Sequence, residues 1–292
     1  MKKLDLRSFL IFLLLFSLKV TAQKDDVVIT VDTLSNNVYM LTGQGGNIGI
    51  YVGKENVYMI DDQFERLSPK IKTAIASLTS KPIAFLFNTH MHGDHTGGNI
   101  NFNSKETILI AHDNVRNSLS AKLAEKPELG AAILPEITFS DDVTLYDGEE
   151  TIMAFHVHNA HTDGDAMIYF MKNNVLHMGD TYFSGRYPYI DLKNGGSVEG
   201  YIKAHRKALL LINEDTKIIP GHGRPSSKQE LASYTEMLEM IKANILEAIK
   251  DGKTLEEVQQ AQELTSSYDA THGSGFINPE KIRATFYNSL KQ

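Results

Sequence analysis

Hydrophobic residues in the first half of the chain form short runs separated by turn residues, a pattern typical of β-strands. Glycine- and asparagine-rich stretches at residues 36–37, 43–46 and 53–56 mark the turns. Ser68 and Pro69 then open a helix with apolar residues spaced by three and four positions. The predicted strands are residues 27–31, 38–41, 48–52, 57–60, 83–87 and 107–111, and the predicted helices begin near residues 68 and 113.

The second half repeats this order of strands and helices. Ser197 is a candidate N-cap, and Thr254 with Glu257 has the spacing of a capping box. The predicted strands are residues 151–158, 166–170, 175–178 and 218–219, and the predicted helices are residues 197–213, 226–250, one from Thr254 and one from Asn278. No low-complexity linker separates the halves, so we expect one domain over residues 23–292, with two sheets back to back and helices outside.

The first 22 residues have the pattern of a cleaved secretory signal peptide. Basic residues precede the apolar run 9–18, and small residues at Val20 and Ala22 suit cleavage after Ala22. The alternative is a membrane anchor, but a span needs about 20 apolar residues and Lys19 interrupts this run. We therefore expect an exported protein, periplasmic or secreted, without a stable membrane anchor.

The composition of the chain limits the classes of molecule that it is expected to bind. The formal net charge is −7, and removing the basic leader makes the remaining chain more acidic, so nucleic acid and anionic lipid are disfavoured as ligands. The chain has no cysteine, which excludes disulfides, a lipid-anchored lipoprotein and a thiolate nucleophile. A small-molecule substrate is the expected partner, and the oligomeric state stays open.

Histidines are concentrated directly after the predicted strand at residues 83–87. Residues 88–98 read Asn-Thr-His-Met-His-Gly-Asp-His-Thr-Gly-Gly and contain His90, His92, Asp94 and His95. On a tight loop these side chains can converge, whereas a helix would turn residues 90 and 92 apart. Neutral imidazole and carboxylate are good zinc ligands, so the motif predicts a metal site.

Three later segments place similar side chains just after short apolar strands. They contain His161, Asp180 within Gly-Asp-Thr, and His222 within Pro-Gly-His-Gly. Each is weak alone, but in this order after the first motif they support one shared site.

The complete set resembles the metallo-β-lactamase fold superfamily, in matching order from Asp61 to His222. The resemblance implies an α/β fold, a four-layer αββα sandwich, with a site for two zinc ions at one edge. It also implies that Asp61 orients the metal loop, although Asp62 is adjacent. By resemblance, His90, His92 and His161 hold the first ion, Asp94, His95 and His222 hold the second, and Asp180 bridges them.

This ligand set implies a hydrolase that attacks its substrate with a metal-bound hydroxide. We expect Asp94 and Asp180 to serve in catalysis as well as in metal binding. The loop after Asp180 carries Tyr182, Tyr187 and Tyr189. Any of these can donate to a developing oxyanion or line the pocket. Of the three we assign Tyr182 to catalysis; ordinary aromatic packing is the alternative. Phe64 and the 43–46 hairpin are candidates for the substrate border.

The remaining histidines are interpreted as surface or packing residues: His112, His177, His205 and His272. His156 and His158 alternate along a predicted strand and are weaker candidates for contact with the site.

Departures from subfamily patterns leave the substrate open. One β-lactamase class places a cysteine on the second zinc, and another, with three histidines there, typically lacks the bridging carboxylate. The ligand set that includes Asp180 looks more like that of glyoxalase II-type thioesterases and acyl-homoserine lactonases. The export signal, in contrast, favours a β-lactamase. We expect cleavage of a lactone, ester, thioester or lactam-type bond. The alternatives are a β-lactamase proper and a non-hydrolytic diiron oxidoreductase-like protein.

Overall fold

The computed structural model describes residues 27–291, which form two β-sheets stacked face to face with helices on their outer sides. The predicted signal peptide lies outside the described residues. Within the described part, no helix combines the length and apolarity required of a membrane span.

The first sheet has seven strands in sequential order. Its first four strands pair antiparallel, and the pairs from the fourth to the seventh are parallel. The strands are β1 (Thr30–Thr33), β2 (Val38–Thr42), β3 (Ile48–Val52), β4 (Val57–Ile60), β5 (Ile83–Asn88), β6 (Ile108–His112) and β7 (Ile137–Phe139).

The second sheet has six strands in the order β13-β12-β11-β10-β9-β8. All neighbours are antiparallel except β11 and β12, which run parallel. The strands are β8 (Asp142–Asp147), β9 (Glu150–His156), β10 (Ala166–Phe170), β11 (Val175–Phe183), β12 (Lys217–His222) and β13 (Ser226–Ser227).

Helices connect these strands and follow them. In chain order they are α1 (Ser68–Leu78), α2 (Gly93–Thr96), α3 (Asn99–Phe102), α4 (Asp113–Glu125), α5 (Val198–Leu211), α6 (Lys228–Lys250), α7 (Leu255–Gln260), α8 (Ser266–His272) and α9 (Pro279–Leu290). Both predicted capping residues are observed: Ser197 accepts from the Gly200 amide, and Thr254 with Glu257 forms a capping box.

Three apolar layers hold the sandwich together. The inner layer joins the two sheets through residues such as Ile60 and Ile168. An outer layer packs α1 on the first sheet through Ile71 and Ile75. On the second sheet, α5, α6 and α9 form the largest cluster, which includes Tyr201. This confirms the predicted α/β four-layer αββα sandwich.

Some predicted boundaries were wrong. The first strand starts at Thr30 rather than at residue 27, and β11 continues to Phe183 instead of ending at residue 178. Sequence analysis missed β7 and β8. The first has three residues, and the second alternates half-buried with exposed positions at a sheet edge, so neither presents a long apolar run.

Candidate metal centre

The histidine-rich loop follows β5 at the edge of the sandwich and leads into α2. The His92 carbonyl accepts from the His95 and Thr96 amides, which closes the turn. The β2–β3 loop packs on it, because the Gly46 amide donates to the Asp94 carbonyl over 3.0 Å. A Cβ atom on Gly46 would lie 2.1 Å from the His95 ring, so only glycine permits this approach.

One group of side chains brings together residues from three separate segments. The donor atoms of His90, His92, His161 and Asp180 all lie within 4.8 Å of one another. Nε2 of His161 is 2.9 Å from Nδ1 of His92. The Oδ2 atom of Asp180 is 3.6 Å from Nε2 of His161 and 3.8 Å from Nε2 of His90. The loop after β5 therefore meets the loop after β9 and the middle of β11.

A second group lies on the other side of the Asp180 carboxylate. The donor atoms of Asp94, His95 and His222 lie within 4.8 Å of one another. The other oxygen of Asp180, Oδ1, is 3.0 Å from Nε2 of His95 and 3.4 Å from Nε2 of His222. Asp180 thus presents one oxygen to each group, which is the geometry that a bridging ligand requires.

Buried atoms without partners indicate that cations fit between these side chains. Among the described residues, Nε2 of His90, Nε2 of His95 and Oδ1 of Asp180 are buried with no hydrogen-bond partner. Leaving such atoms unpaired costs free energy, so a cluster of them marks a place for a ligand. Imidazole nitrogens and carboxylate oxygens are the donors that a divalent transition metal accepts.

The electrostatics of the site also favour added positive charge. Burial lowers the pKa of His161 to about 4 and holds that of His90 well below its usual range, so both rings are neutral. Burial opposes ionisation of Asp180, yet His95 and His222 hold its pKa well below its usual value. Against the effect of burial, Asp180 raises the pKa of His222 to about 9. A divalent cation can replace these protons, because metal ligands must be deprotonated.

Further contacts orient the ligand rings of the second group. Asp61 is completely buried and accepts from the Thr89 amide, the Thr89 hydroxyl and Nδ1 of His95, each over 2.7 Å. The ambiguity between neighbouring aspartates is resolved by geometry, since Asp62 accepts from the Gly98 amide instead. Carboxylates behind metal-ligating histidines fix their tautomer and direction.

Sequence analysis missed an equivalent residue behind the first group. Nε2 of His92 is 3.0 Å from Oδ2 of Asp191, which leaves Nδ1 of His92 facing His161. The ring of His161 is fixed through Nδ1 and the Tyr189 carbonyl, 2.7 Å apart. No local motif marks Asp191, because it lies 99 positions from His92.

A cavity of about 620 Å³ opens over the two groups and is lined by His92, Asp94, Asp180 and His222. Phe64, Tyr187 and Tyr189, which sequence analysis proposed for the border or the pocket, also line it. Sequence analysis did not identify Phe183, Arg186, Phe276 or Ile277 as lining residues.

Tyr182 lies elsewhere. Its hydroxyl is 2.9 Å from Oγ of Ser226, its ring packs on Tyr234, and it lines a neighbouring cleft. The register between β11 and β12 shifts between Gly179 and Phe183, which breaks the alternation of side chains after Asp180. A catalytic role for Tyr182 therefore remains a sequence prediction, and the geometry places Tyr187 and Tyr189 nearer the metal-facing residues.

Most of the other histidines have structural contacts. His112 stacks on His156 with ring centroids 3.8 Å apart. His177 and His205 are completely buried and bond to backbone groups. His158 packs against His156, outside both groups of donor atoms. His272 lines the cleft beside Tyr182.

This fold and donor set define a family. The chain belongs to the metallo-beta-lactamase superfamily, whose family model matches residues 31–222. Members of this superfamily are hydrolases, and the chain carries a histidine- and aspartate-rich metal site of that family.

Solved structures show the same fold at low sequence identity. DIM-1 metallo-beta-lactamase is 19% identical with a TM-score of 0.62, over 73% of this chain and 99% of that one. The metallo-beta-lactamase IND-7 is 22% identical with a TM-score of 0.60, over 74% of this chain and 100% of that one. The inverting sec-alkylsulfatase Pisa1 from Pseudomonas sp. is 14% identical with a TM-score of 0.71, over 89% of this chain and 50% of that one.

A curated relative is the alpha subunit of 2,4-dinitroanisole O-demethylase from Nocardioides sp. (strain JS1661). It is 25% identical over 187 residues, which cover 63% of this chain and 54% of the relative. The chain thus matches only about half the length of this curated relative.

Proposed function

We propose that this protein is an exported hydrolase that holds two zinc ions and cleaves a lactone, ester, thioester or lactam-type bond. One observation carries the proposal: the two oxygens of Asp180 face two separate groups of ligand atoms, each with its own histidines. Export rests on the sequence pattern of residues 1–22. It predicts that the protein recovered outside the cytoplasm begins at Gln23, which mass spectrometry of its N-terminus tests.

The proposed roles follow from the contacts of each side chain. His90, His92 and His161 would hold the first ion, and Asp94, His95 and His222 the second, with Asp180 between them. When bound there, zinc would supply a nucleophile, because it would lower the pKa of a water molecule to about 7, and it would polarise the scissile bond.

Residues of the chain itself would accept a proton and hold a ligand ring in place. Asp94 lines the cavity with its side chain 28% exposed, and His222 at 3.3 Å helps to keep its pKa low against the effect of burial. Its carboxylate is placed to accept a proton from water that enters the cavity. Phe183 stacks on His222 at 5.2 Å between centroids and so limits the orientations of that ring.

The decisive experiment combines metal analysis with substrate profiling of the purified protein. Elemental analysis should find two zinc ions per chain. The assay panel contains a lactone, an aryl ester, a thioester and a chromogenic cephalosporin. An alkyl sulfate and an aryl methyl ether are added because two similar proteins are an alkylsulfatase and a subunit of an anisole O-demethylase. If the zinc-loaded protein turned over none of the lactone, ester, thioester and cephalosporin, the proposal would be overturned.

The Asp180→Ala variant tests the bridge. It should retain about one zinc ion and lose about 100-fold or more in kcat/KM, because several kcal/mol of charge stabilisation disappear. The matched control is Asp215→Asn at an exposed turn outside the site. Unchanged zinc content and kinetics in Asp180→Ala would show that the bridging assignment is wrong.

A β-lactamase is the second candidate, favoured by the names of two structurally similar proteins. Turnover of the cephalosporin alone would select it. Two equivalents of iron with a visible absorption spectrum would instead select the diiron alternative.

A further inference from the structure

The segment between α8 and α9 forms one wall of the cavity above the metal-facing residues. Phe276 and Ile277 of this segment line the same cavity as Asp94 and Asp180. Both lie beyond residue 222, where the match to the family model ends. This wall is therefore supplied by a part of the chain outside the matched region.

Phe276 is an exposed aromatic residue that is nevertheless held in place. Its side chain is 76% exposed. Nζ of Lys281 lies 4.6 Å from the ring centroid and donates to the Phe276 carbonyl over 3.1 Å. The Tyr189 ring meets the Phe276 ring edge to face, at 6.0 Å between centroids. Phe276 therefore adds a large apolar group to the rim of the cavity.

Helix α8, which leads into this segment, is fastened to the loop that follows Asp180. The Tyr187 amide donates to the His272 carbonyl over 2.9 Å, and the Tyr187 hydroxyl donates to Oδ1 of Asp269 over 2.7 Å. Ile277, only 5% exposed, belongs to the largest apolar cluster. The wall therefore has a fixed position relative to the metal-facing side chains.

The chemistry of the lining defines what it can contact. Away from the ligand residues, the cavity surface is mostly aromatic and aliphatic: Phe64, Phe183, Tyr187, Tyr189, Phe276 and Ile277. Arg186 is the one lysine or arginine among the described lining residues. A substrate group beside the scissile bond would thus contact apolar surface, which favours hydrocarbon over charge.

We propose that Phe276 and Ile277 determine substrate specificity by binding an apolar group, an alkyl chain or an aryl ring, attached to the bond that is hydrolysed. This inference rests on the proposed hydrolase function. It adds a substrate class, namely esters, thioesters or lactones with an extended hydrocarbon part.

A chain-length series tests it. For p-nitrophenyl esters from acetate to decanoate, kcat/KM of the zinc-loaded protein should rise about fourfold per methylene until the cavity is filled. In Phe276→Ala, the rise should flatten, with about a tenfold loss for the longest ester that the wild type prefers and little change for acetate. The loss should lie in KM rather than in kcat.

Two further variants separate packing from recognition. Phe276→Leu keeps an apolar side chain and should restore most of the chain-length dependence. Leu210→Ala removes another exposed apolar residue, 88% exposed on α5 and absent from the cavity lining, and should behave as wild type. An equal loss on all esters in Phe276→Ala, or a wild type indifferent to chain length, would overturn the inference.

A binding experiment separates this inference from the proposed function. Calorimetric titration with straight-chain carboxylates from acetate to decanoate should show affinity that rises with chain length in the wild type and much less in Phe276→Ala. If the wild type hydrolyses no ester but binds longer carboxylates more tightly, the proposed reaction is wrong and the apolar pocket is supported. If it hydrolyses esters but its affinity for carboxylates does not depend on chain length, only the inference about the pocket is wrong.

Discussion

Asp61 and His95 are joined by a buried hydrogen bond of 2.7 Å between Oδ2 and Nδ1. Because Nδ1 is engaged in this bond, Nε2 of His95 faces Asp180, and it has no hydrogen-bond partner in the described part of the chain. The carboxylate at the end of β4 thereby sets the direction of a ring in the loop after β5.

Replacing Asp61 should weaken metal binding at the second group. In Asp61→Ala, His95 loses its fixed orientation, and zinc affinity at that group should fall about 10- to 100-fold. Competition with a chromophoric chelator measures this affinity. Asp61→Asn, which keeps the volume, serves if the alanine variant fails to fold, and Asp215→Asn is the control. If a folded Asp61 variant bound both zinc ions as tightly as the wild type, Asp61 would not orient His95 for metal binding.

Replacing Asp191 should affect the first group instead. The variant Asp191→Ala removes the acceptor 3.0 Å from Nε2 of His92, so Nδ1 is no longer directed at His161. We expect a loss of about 10- to 100-fold in zinc affinity at the first group, with the second retained. The same competition assay should show one weakened zinc ion in each single variant and two in the variant that carries both changes. A double variant that still holds one zinc ion as tightly as the wild type would refute the separation into two groups.

Acid should destabilise the fold through His156. Burial lowers the pKa of His156 to about 4 in the folded state. Unfolded histidine titrates near 6.5, so below that pH the unfolded chain binds more protons. The neutral His156 ring makes its full contribution to the free energy of unfolding above about pH 6.5, and this contribution is lost as the pH falls towards 4. At pH 5 the loss should be about 1 kcal/mol after allowing for solvent screening.

Chemical denaturation at pH 7 and pH 5 measures this difference. His156→Phe removes the titrating group while keeping a ring that can stack on His112, so its stability should fall less between the two values. Identical pH dependence in wild type and variant would exclude His156 as the source.

Arg283 should hold the C-terminal helices together. It is almost completely buried in α9, and its guanidinium donates twice to the Gln259 carbonyl and once to the Thr265 hydroxyl. Arg283→Ala leaves these acceptors unpaired, so the free energy of unfolding should fall by about 2–4 kcal/mol. Urea denaturation measures it, with the surface variant Arg206→Ala as control. A change below about 0.5 kcal/mol would contradict this role.

The candidate metal ligands could be predicted from the sequence because histidines and aspartates are clustered in short segments. His90 to His95 follow one strand, His161 follows β9 and His222 ends β12, while Asp180 lies inside β11, just after the apolar run 175–178. Strand ends gathered at one edge of a layered fold bring such residues together, so order along the chain and residue type are enough to predict convergence.

Other parts of the site depend on tertiary packing alone. Asp191 reaches His92, and Phe276 reaches Tyr189, through contacts between loops that share no local pattern. The same limit applies to Tyr182, since the irregular register after Gly179 turns its side chain towards Ser226.

The sequence by itself determined the layered fold and the candidate metal ligands, because periodic apolar residues and clustered donor side chains are local properties. Only the tertiary structure decided which carboxylate supports which histidine and which side chains form the cavity. Those relationships depend on distances between segments far apart in the chain, and these are set when the sheets and outer helices pack.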